Sequence, residues 1–182
     1  KRKYPAFNTK AFVVLDGKTE IASQYNQKDG DKPGLYLVLD KMAPKATRTL
    51  TVRYKENGEA NRNYTKRTQA ELSHKVGGEF KDRKYIGGTF QNVDSLRVPS
   101  EVTDHSYYIR YEGPGWESDK VGYRFYLDWR NGTDVYGKTT HDMVLQQVGL
   151  DGYDSYHKLQ DWGMDVLIVG KSLGVGTLAH FH

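Results

Sequence analysis

Residues Glu112–Arg130 read EGPGWESDKVGYRFYLDWR, and the second half of this stretch alternates strictly. Placed on an extended strand, Val121, Tyr123, Phe125, Leu127 and Trp129 fall on one face. Gly122, Arg124, Tyr126, Asp128 and Arg130 fall on the other. Period two over that length predicts a strand from Val121 to Trp129. The second face carries more large planar and charged groups than a merely wet surface needs. It either lines a site or holds a structural Arg–Asp network. Asp128 between two guanidinium forks makes the network the simpler reading from spacing alone.

Working outward, the chain reads as strand after strand. Ala11–Leu15 and Leu35–Leu39 are short apolar runs bounded by Gly, Asp and Pro. Arg48–Tyr54 and Gln69–Lys75 alternate apolar and polar positions. The polar run Lys55–Arg67 between them, with Asn57-Gly58 as a turn signal, predicts a hairpin with a long loop. Tyr107–Tyr111, Met143–Val148, Val166–Val169 and Thr177–Phe181 continue the series. Gly77-Gly78, Gly87-Gly88 and Gly113-Pro114-Gly115 read as joints between strands. Ser155–Trp162 allows two turns of helix but has no sustained apolar stripe. The expectation is one all-β domain over residues 1–182, mostly antiparallel. Val175–His182 resembles a strand that runs off the end, as an edge strand or a part of a larger β fold would.

Composition narrows the partners. There are 14 Tyr against 6 Phe and 3 Trp, and such amphipathic rings suit half-buried strand faces as well as sugar clefts. The 27 basic and 23 acidic residues are interspersed, with one dense basic cluster at Lys1–Lys3, which argues against a nucleic-acid footprint. A net charge of +4 fits an anionic small ligand. Without cysteine there is no disulfide, thiol nucleophile or thiolate metal site. No run of 18 apolar residues offers a membrane-spanning helix.

Several catalytic signatures are missing from the sequence: no HExxH, no EF-hand loop, no GxSxG. Gly170–Gly176 lacks phosphate-loop spacing and reads as turn glycine. His180 and His182 share a strand face, where a polar edge explains them better than a metal chelate; no cofactor is expected beyond an optional structural divalent cation. The densest chemical cluster is His141, Asp142, Asp154, Tyr156, His157, Asp161 and Trp162. It supplies imidazoles for proton transfer, carboxylates and aromatic platforms. An all-surface placement would account for it equally.

Two runs are more specific than any of this: EGPGWESDKVGYRFYLDWRNGTDVYGK and GLDGYDSYHKLQDWGMDVLIVGKSLGVG. The first carries Trp116-Glu117-Ser118-Asp119-Lys120-Val121-Gly122-Tyr123-Arg124-Phe125-Tyr126. The second carries Tyr156-His157, Gly163-Met164-Asp165 and a Val169–Gly176 turn. Together they resemble a family of secreted bacterial β-rich proteins, catalogued as a domain of unknown function, that includes an oligosaccharide dehydratase of ulvan breakdown. Ser118 and Lys120 replace the Asn and Arg usual in that pattern. The resemblance is clearest from His105 to Gly176, and it implies that the chain is the N-terminal part of a longer protein.

The fold expected on this basis is an antiparallel β-sandwich of mutarotase-like or supersandwich type. The activity implied is elimination from a non-reducing-end uronic acid, giving a 4,5-unsaturated uronate, in the periplasm or outside the cell. A polysaccharide lyase or a non-catalytic carbohydrate-binding module are the alternatives. Arg124, aided by Arg130, is expected to neutralise the sugar carboxylate. His157 is expected to act as base or acid, with Tyr156 or Tyr126 as the complementary proton carrier. Trp116 and Trp162 are candidate stacking platforms. Glu117 and Asp119 are assigned to orienting Arg124 or to substrate hydroxyls, and His141 to substrate binding. The partner implied is an anionic oligosaccharide, together with the remaining C-terminal part of the same protein.

Overall fold

A computed structural model describes residues 4–26 and 33–180. The polypeptide is nearly all β, with several antiparallel sheets, no closed barrel and only three short 3-10 turns among the described residues. It divides into two compact units, meeting in sequence between Thr65 and Lys66.

In the first unit, β1 (Phe12–Asp16) is the middle strand between β2 (Thr19–Ile21) and β5 (Leu50–Tyr54), both antiparallel to it. Phe12 and Val14 are buried, as period two requires, and Phe7 packs edge-on against Tyr54 at 5.2 Å. A separate ribbon pairs β3 (Ser23–Asn26) with β4 (Gly34–Leu37).

The second unit is built on a five-stranded antiparallel sheet. Its members are β6 (Thr68–Glu71), β9 (Gly115–Ser118), β10 (Val121–Phe125), β11 (Thr133–Lys138) and β12 (Gly163–Asp165), in the order β12-β11-β10-β9-β6. A long hairpin, β7 (Ser73–Lys81) with β8 (Lys84–Asn92), accompanies it. A tyrosine-rich cluster of Tyr111, Tyr136, Leu145, Val148, Tyr153 and Tyr156 forms the core.

The all-β expectation holds, but several boundaries move. The strand predicted over Val121–Trp129 stops at Phe125. Asp128 accepts from the backbone N–H of Arg130, and Asn131 turns with φ 44°, so the alternation outlives the ladder. The hairpin predicted between Arg48–Tyr54 and Gln69–Lys75 does not form: β5 pairs with β1, and β6 with β9. Gly77-Gly78 and Gly87-Gly88 lie inside β7 and β8 rather than between strands. Gly77 and Gly88 take φ near +80° and +74°, which kinks the ribbon at the level where Gly78 faces Gly87. The hairpin itself turns on Asp82-Arg83, both with positive φ.

Four predicted strands are not strands. Tyr107–Tyr111 runs into a 3-10 turn at Arg110–Glu112, with Tyr107 and Tyr111 at positive φ. Met143–Val148 contains a 3-10 turn at Leu145–Gln147. Val166–Val169 follows β12 as an irregular segment, tied to β11 by the Val166 N–H donating to the Val135 carbonyl at 3.1 Å, and residues 177–180 form no strand. Phe181 and His182 lie outside the described residues. The helix allowed at Ser155–Trp162 shrinks to a 3-10 turn at Ser155–His157.

Candidate active site

The sheet of the second unit inverts the usual rule of apolar in, polar out. Cross-strand register places Glu71, Gly115, Arg124, Asp134 in one row and Gln69, Glu117, Gly122, Tyr136, Asp165 in the next. These residues share the face that packs on the tyrosine core. Arg124 is 1% exposed. The opposite, apolar face is half-open, with Trp116 and Tyr123 stacked there at 5.7 Å and 22°. Glycine makes the inversion possible. A Cβ on Gly115 would meet the Tyr111 ring at 2.7 Å, so only glycine lets that ring lie beside Arg124.

Arg124 is fully committed inside. Its Nε and Nη2 donate to Asp134 at 3.0 and 2.7 Å, and Nη2 also to Asp165 at 2.7 Å. Nη2 donates to the Tyr126 hydroxyl at 2.6 Å, and Nη1 to the Tyr156 hydroxyl at 2.9 Å and Glu112 at 3.4 Å. The guanidinium also lies over the rings of Tyr126, Tyr136 and Tyr156. Arg130 pairs with Asp128 and Glu112 and also lies over the Tyr126 ring, 3.7 Å from its centroid. Two cations therefore face four carboxylates: Glu112, Asp128, Asp134 and Asp165. A buried cation survives only when so paired.

At one edge this network opens into a cleft of ≈ 610 Å³ lined by Tyr126, His157, Asp165, Met164 and the Val166–Gly170 segment. The His157 ring is about half exposed, and its Nδ1 lies 3.3 Å from Asp165 Oδ2. Burial pushes the Asp165 carboxyl up to about 6, against the pull of Arg124. Burial, then repulsion from Arg124, holds His157 below its ordinary range, so the imidazole is neutral at pH 7. Burial raises the Tyr126 and Tyr156 phenols, so both keep their protons. Arg124 pulls both down, but desolvation outweighs it. Tyr126 donates to Asp134 at 2.6 Å while accepting from Arg124.

This second unit thus presents a neutral imidazole backed by a carboxylate, beside a protonated phenol backed by a guanidinium. The chain belongs to the family described as "Domain of unknown function (DUF4861)". The match covers residues 1–182. No curated protein and no solved structure matches it.

Of the site residues read from the sequence of this DUF4861 chain, His157 and Tyr126 line the cleft. Arg124, Arg130 and Tyr156 stand directly behind it. Glu117 is buried elsewhere on the sheet, where it orients no arginine. It accepts from the backbone N–H groups of Val144 and Leu145 at 2.7 Å and pairs with Lys138. Asp119 and His141 meet at the β9–β10 turn, where His141 Nδ1 contacts the Asp119 carbonyl at 2.8 Å. At 3.3 Å per strand residue, that turn is about 20 Å from Tyr126. Trp162 packs edge-on against Tyr136 at 5.8 Å, and Trp116 sits on the open face. Neither lines the cleft.

Sequence reasoning missed Asp165, Asp134 and Glu112 as members of the network. Asp165 stood inside a quoted motif without a role. Asp134 needed only the β10–β11 register, which places it opposite Arg124. Among the described residues no cluster of three metal-binding side chains occurs, and no helix is long and apolar enough to cross a membrane.

Proposed function

We propose that the chain is an oligosaccharide dehydratase that eliminates water from a non-reducing-end uronic acid, in the periplasm or outside the cell. The observation that carries this reading is the convergence of His157, Asp165 and Tyr126 on one cleft, with Arg124 bonded to two of the three. Resemblance of the Trp116–Tyr126 and Tyr156–Gly176 motifs to the dehydratase family supports it.

In the tautomer that carries its proton on Nδ1, 3.3 Å from Asp165, His157 has a lone pair on Nε2 to take the C5 proton. The C5–H electrons form the C4=C5 bond as the C4–O bond breaks. Tyr126, turning its O–H from Asp134 to the substrate, supplies the proton with which the 4-hydroxyl leaves as water. Arg124 acts at one remove. Its donors are occupied by Asp134, Asp165, Glu112 and the two phenols, so its charge reaches the reaction through the Tyr126 oxygen rather than by direct contact with a sugar carboxylate. A polysaccharide lyase would use the same groups and expel a sugar instead.

The test is incubation of the protein with uronate-terminated oligosaccharides while following the ultraviolet absorbance of the C4=C5 bond. His157→Ala is expected to lower the rate by about 10²–10⁴. Full activity of that variant removes His157 from the mechanism, and no unsaturated product from the wild-type protein on any uronate substrate defeats elimination altogether. A sugar-binding module is the second reading, favoured by the exposed Trp116–Tyr123 pair. It predicts binding weakened by Trp116→Ala, indifferent to His157→Ala and without turnover.

A further inference from the structure

A second cavity, ≈ 340 Å³, lies in the same unit between the β7–β8 ribbon and the Leu150–Asp154 loop. Its volume is within the range of small-ligand sites. Lys75 and Phe90 are cross-strand partners on β7 and β8 and supply one wall. Tyr107 supplies another, stacked on Tyr153 at 4.7 Å and 25°. Asp151 and Asp154 close the rim.

Three features mark this cavity as more than a surface dent. Tyr107 has φ 61°, a conformation that bulky residues avoid, and the strained backbone delivers its ring to the cavity. The Lys75 ammonium rests 5.4 Å over the Phe90 ring and is within ion-pair distance of no carboxylate among the described residues. Outside the lining, Lys84 lies 4.9 Å over the Tyr107 ring while donating to the His105 carbonyl at 2.8 Å, which helps to hold that ring in place. The rim thus combines aromatic faces for the C–H face of a sugar, the Lys75 ammonium for an oxyanion, and carboxylates for hydroxyls.

The cavity also has a fixed relation to His157. Asp154 belongs to its rim and immediately precedes the Ser155–His157 turn, at whose other end His157 enters the cleft. Three residues of 3-10 turn span about 6 Å. Asp154 is close enough to act electrostatically on the His157 ring.

We propose that this cavity is a saccharide subsite for the sugar adjoining the reactive one, and that Lys75 selects a ring bearing an oxyanion, either a sulfate ester or a carboxylate. The proposal rests on the dehydratase reading for the word "adjoining", and its binding chemistry can be tested without turnover.

The experiment is calorimetric titration of the His157→Ala protein, with and without Lys75→Gln. The probes are a uronic acid monosaccharide and three uronate-terminated disaccharides whose second ring is neutral, sulfated or carboxylated. Lys75→Gln is expected to weaken the disaccharides with a charged second ring about tenfold and to leave the monosaccharide and the neutral disaccharide unchanged. A loss confined to the sulfated probe assigns the subsite to sulfate; a loss confined to the carboxylated probe assigns it to a uronate. Lys75→Arg should retain most of the binding, and Tyr107→Leu should weaken all three disaccharides. Titrations that are indifferent to Lys75→Gln, or an absence of binding by every probe, overturn the subsite. If Lys75-dependent binding persists while wild-type protein yields no unsaturated product, the subsite stands and elimination falls. If product forms at the same KM with Lys75→Gln on all probes, the subsite falls alone.

Discussion

The two faces of the five-stranded sheet are made by the same alternating strands and obey opposite rules. The inner face holds Arg124, Asp134, Asp165 and Glu117, each saturated with partners. The outer face holds Trp116 and Tyr123, whose large rings stay partly in water. For these four charged groups burial follows the supply of partners rather than polarity, and an aromatic ring stays outside at little cost.

Substitutions on the two faces should differ accordingly. Arg124→Leu leaves four carboxylates with one cation and is expected to cost about 3–5 kcal/mol in chemical denaturation. A loss under 1 kcal/mol would mean that the network is not a folding element. Glu117→Gln keeps acceptors for Val144 and Leu145 but leaves the buried Lys138 ammonium with only the Ser118 and Asp142 carbonyls and no counter-charge, so about 2 kcal/mol is expected by the same measurement.

Asp165→Asn probes the same face through pH. The folded protein holds the Asp165 proton more tightly than the unfolded chain, with a value near 6 against 3.8. Its stabilising contribution is complete below pH 3.8 and is lost as pH rises through about 6. The variant cannot ionise, so its stability curve should lack that downward step; an unchanged curve would place the carboxyl outside the buried network. His157 runs the other way. Its value is depressed below 6.5, so its contribution is present above pH 6.5 and is lost as pH falls, and the rate of elimination should fall with it. On the outer face, Trp116→Ala removes one stacked pair and should cost about 0.5–1.5 kcal/mol, the smallest effect in this series.

The strand class was legible because alternation survives without knowledge of partners. Sidedness was not, since an amphipathic pattern assigns arginine and aspartate to solvent unless their acceptors are known, and Asp165 lies 41 residues from Arg124. β8 was lost because Asp82-Arg83 reaches a turn conformation usually signalled by Asn or Gly. Its glycines, meanwhile, read as ends rather than as an internal kink. In the candidate site, side-chain chemistry together with the family resemblance named His157 and Tyr126, which line one cleft. Glu117 was misplaced, because a carboxylate beside Trp116 looks the same in sequence whether it binds a sugar or two backbone amides.

The distances along the chain within the Arg124 network also bear on how the protein is made. Asp134 leaves the ribosome soon after Arg124, but Tyr156 and Asp165 follow only 32 and 41 residues later. At 5–20 residues per second, the guanidinium waits roughly 2–8 s for its last acceptor. During that interval the sheet cannot close over it without trapping a charge, so the nascent second unit is held open until β12 arrives.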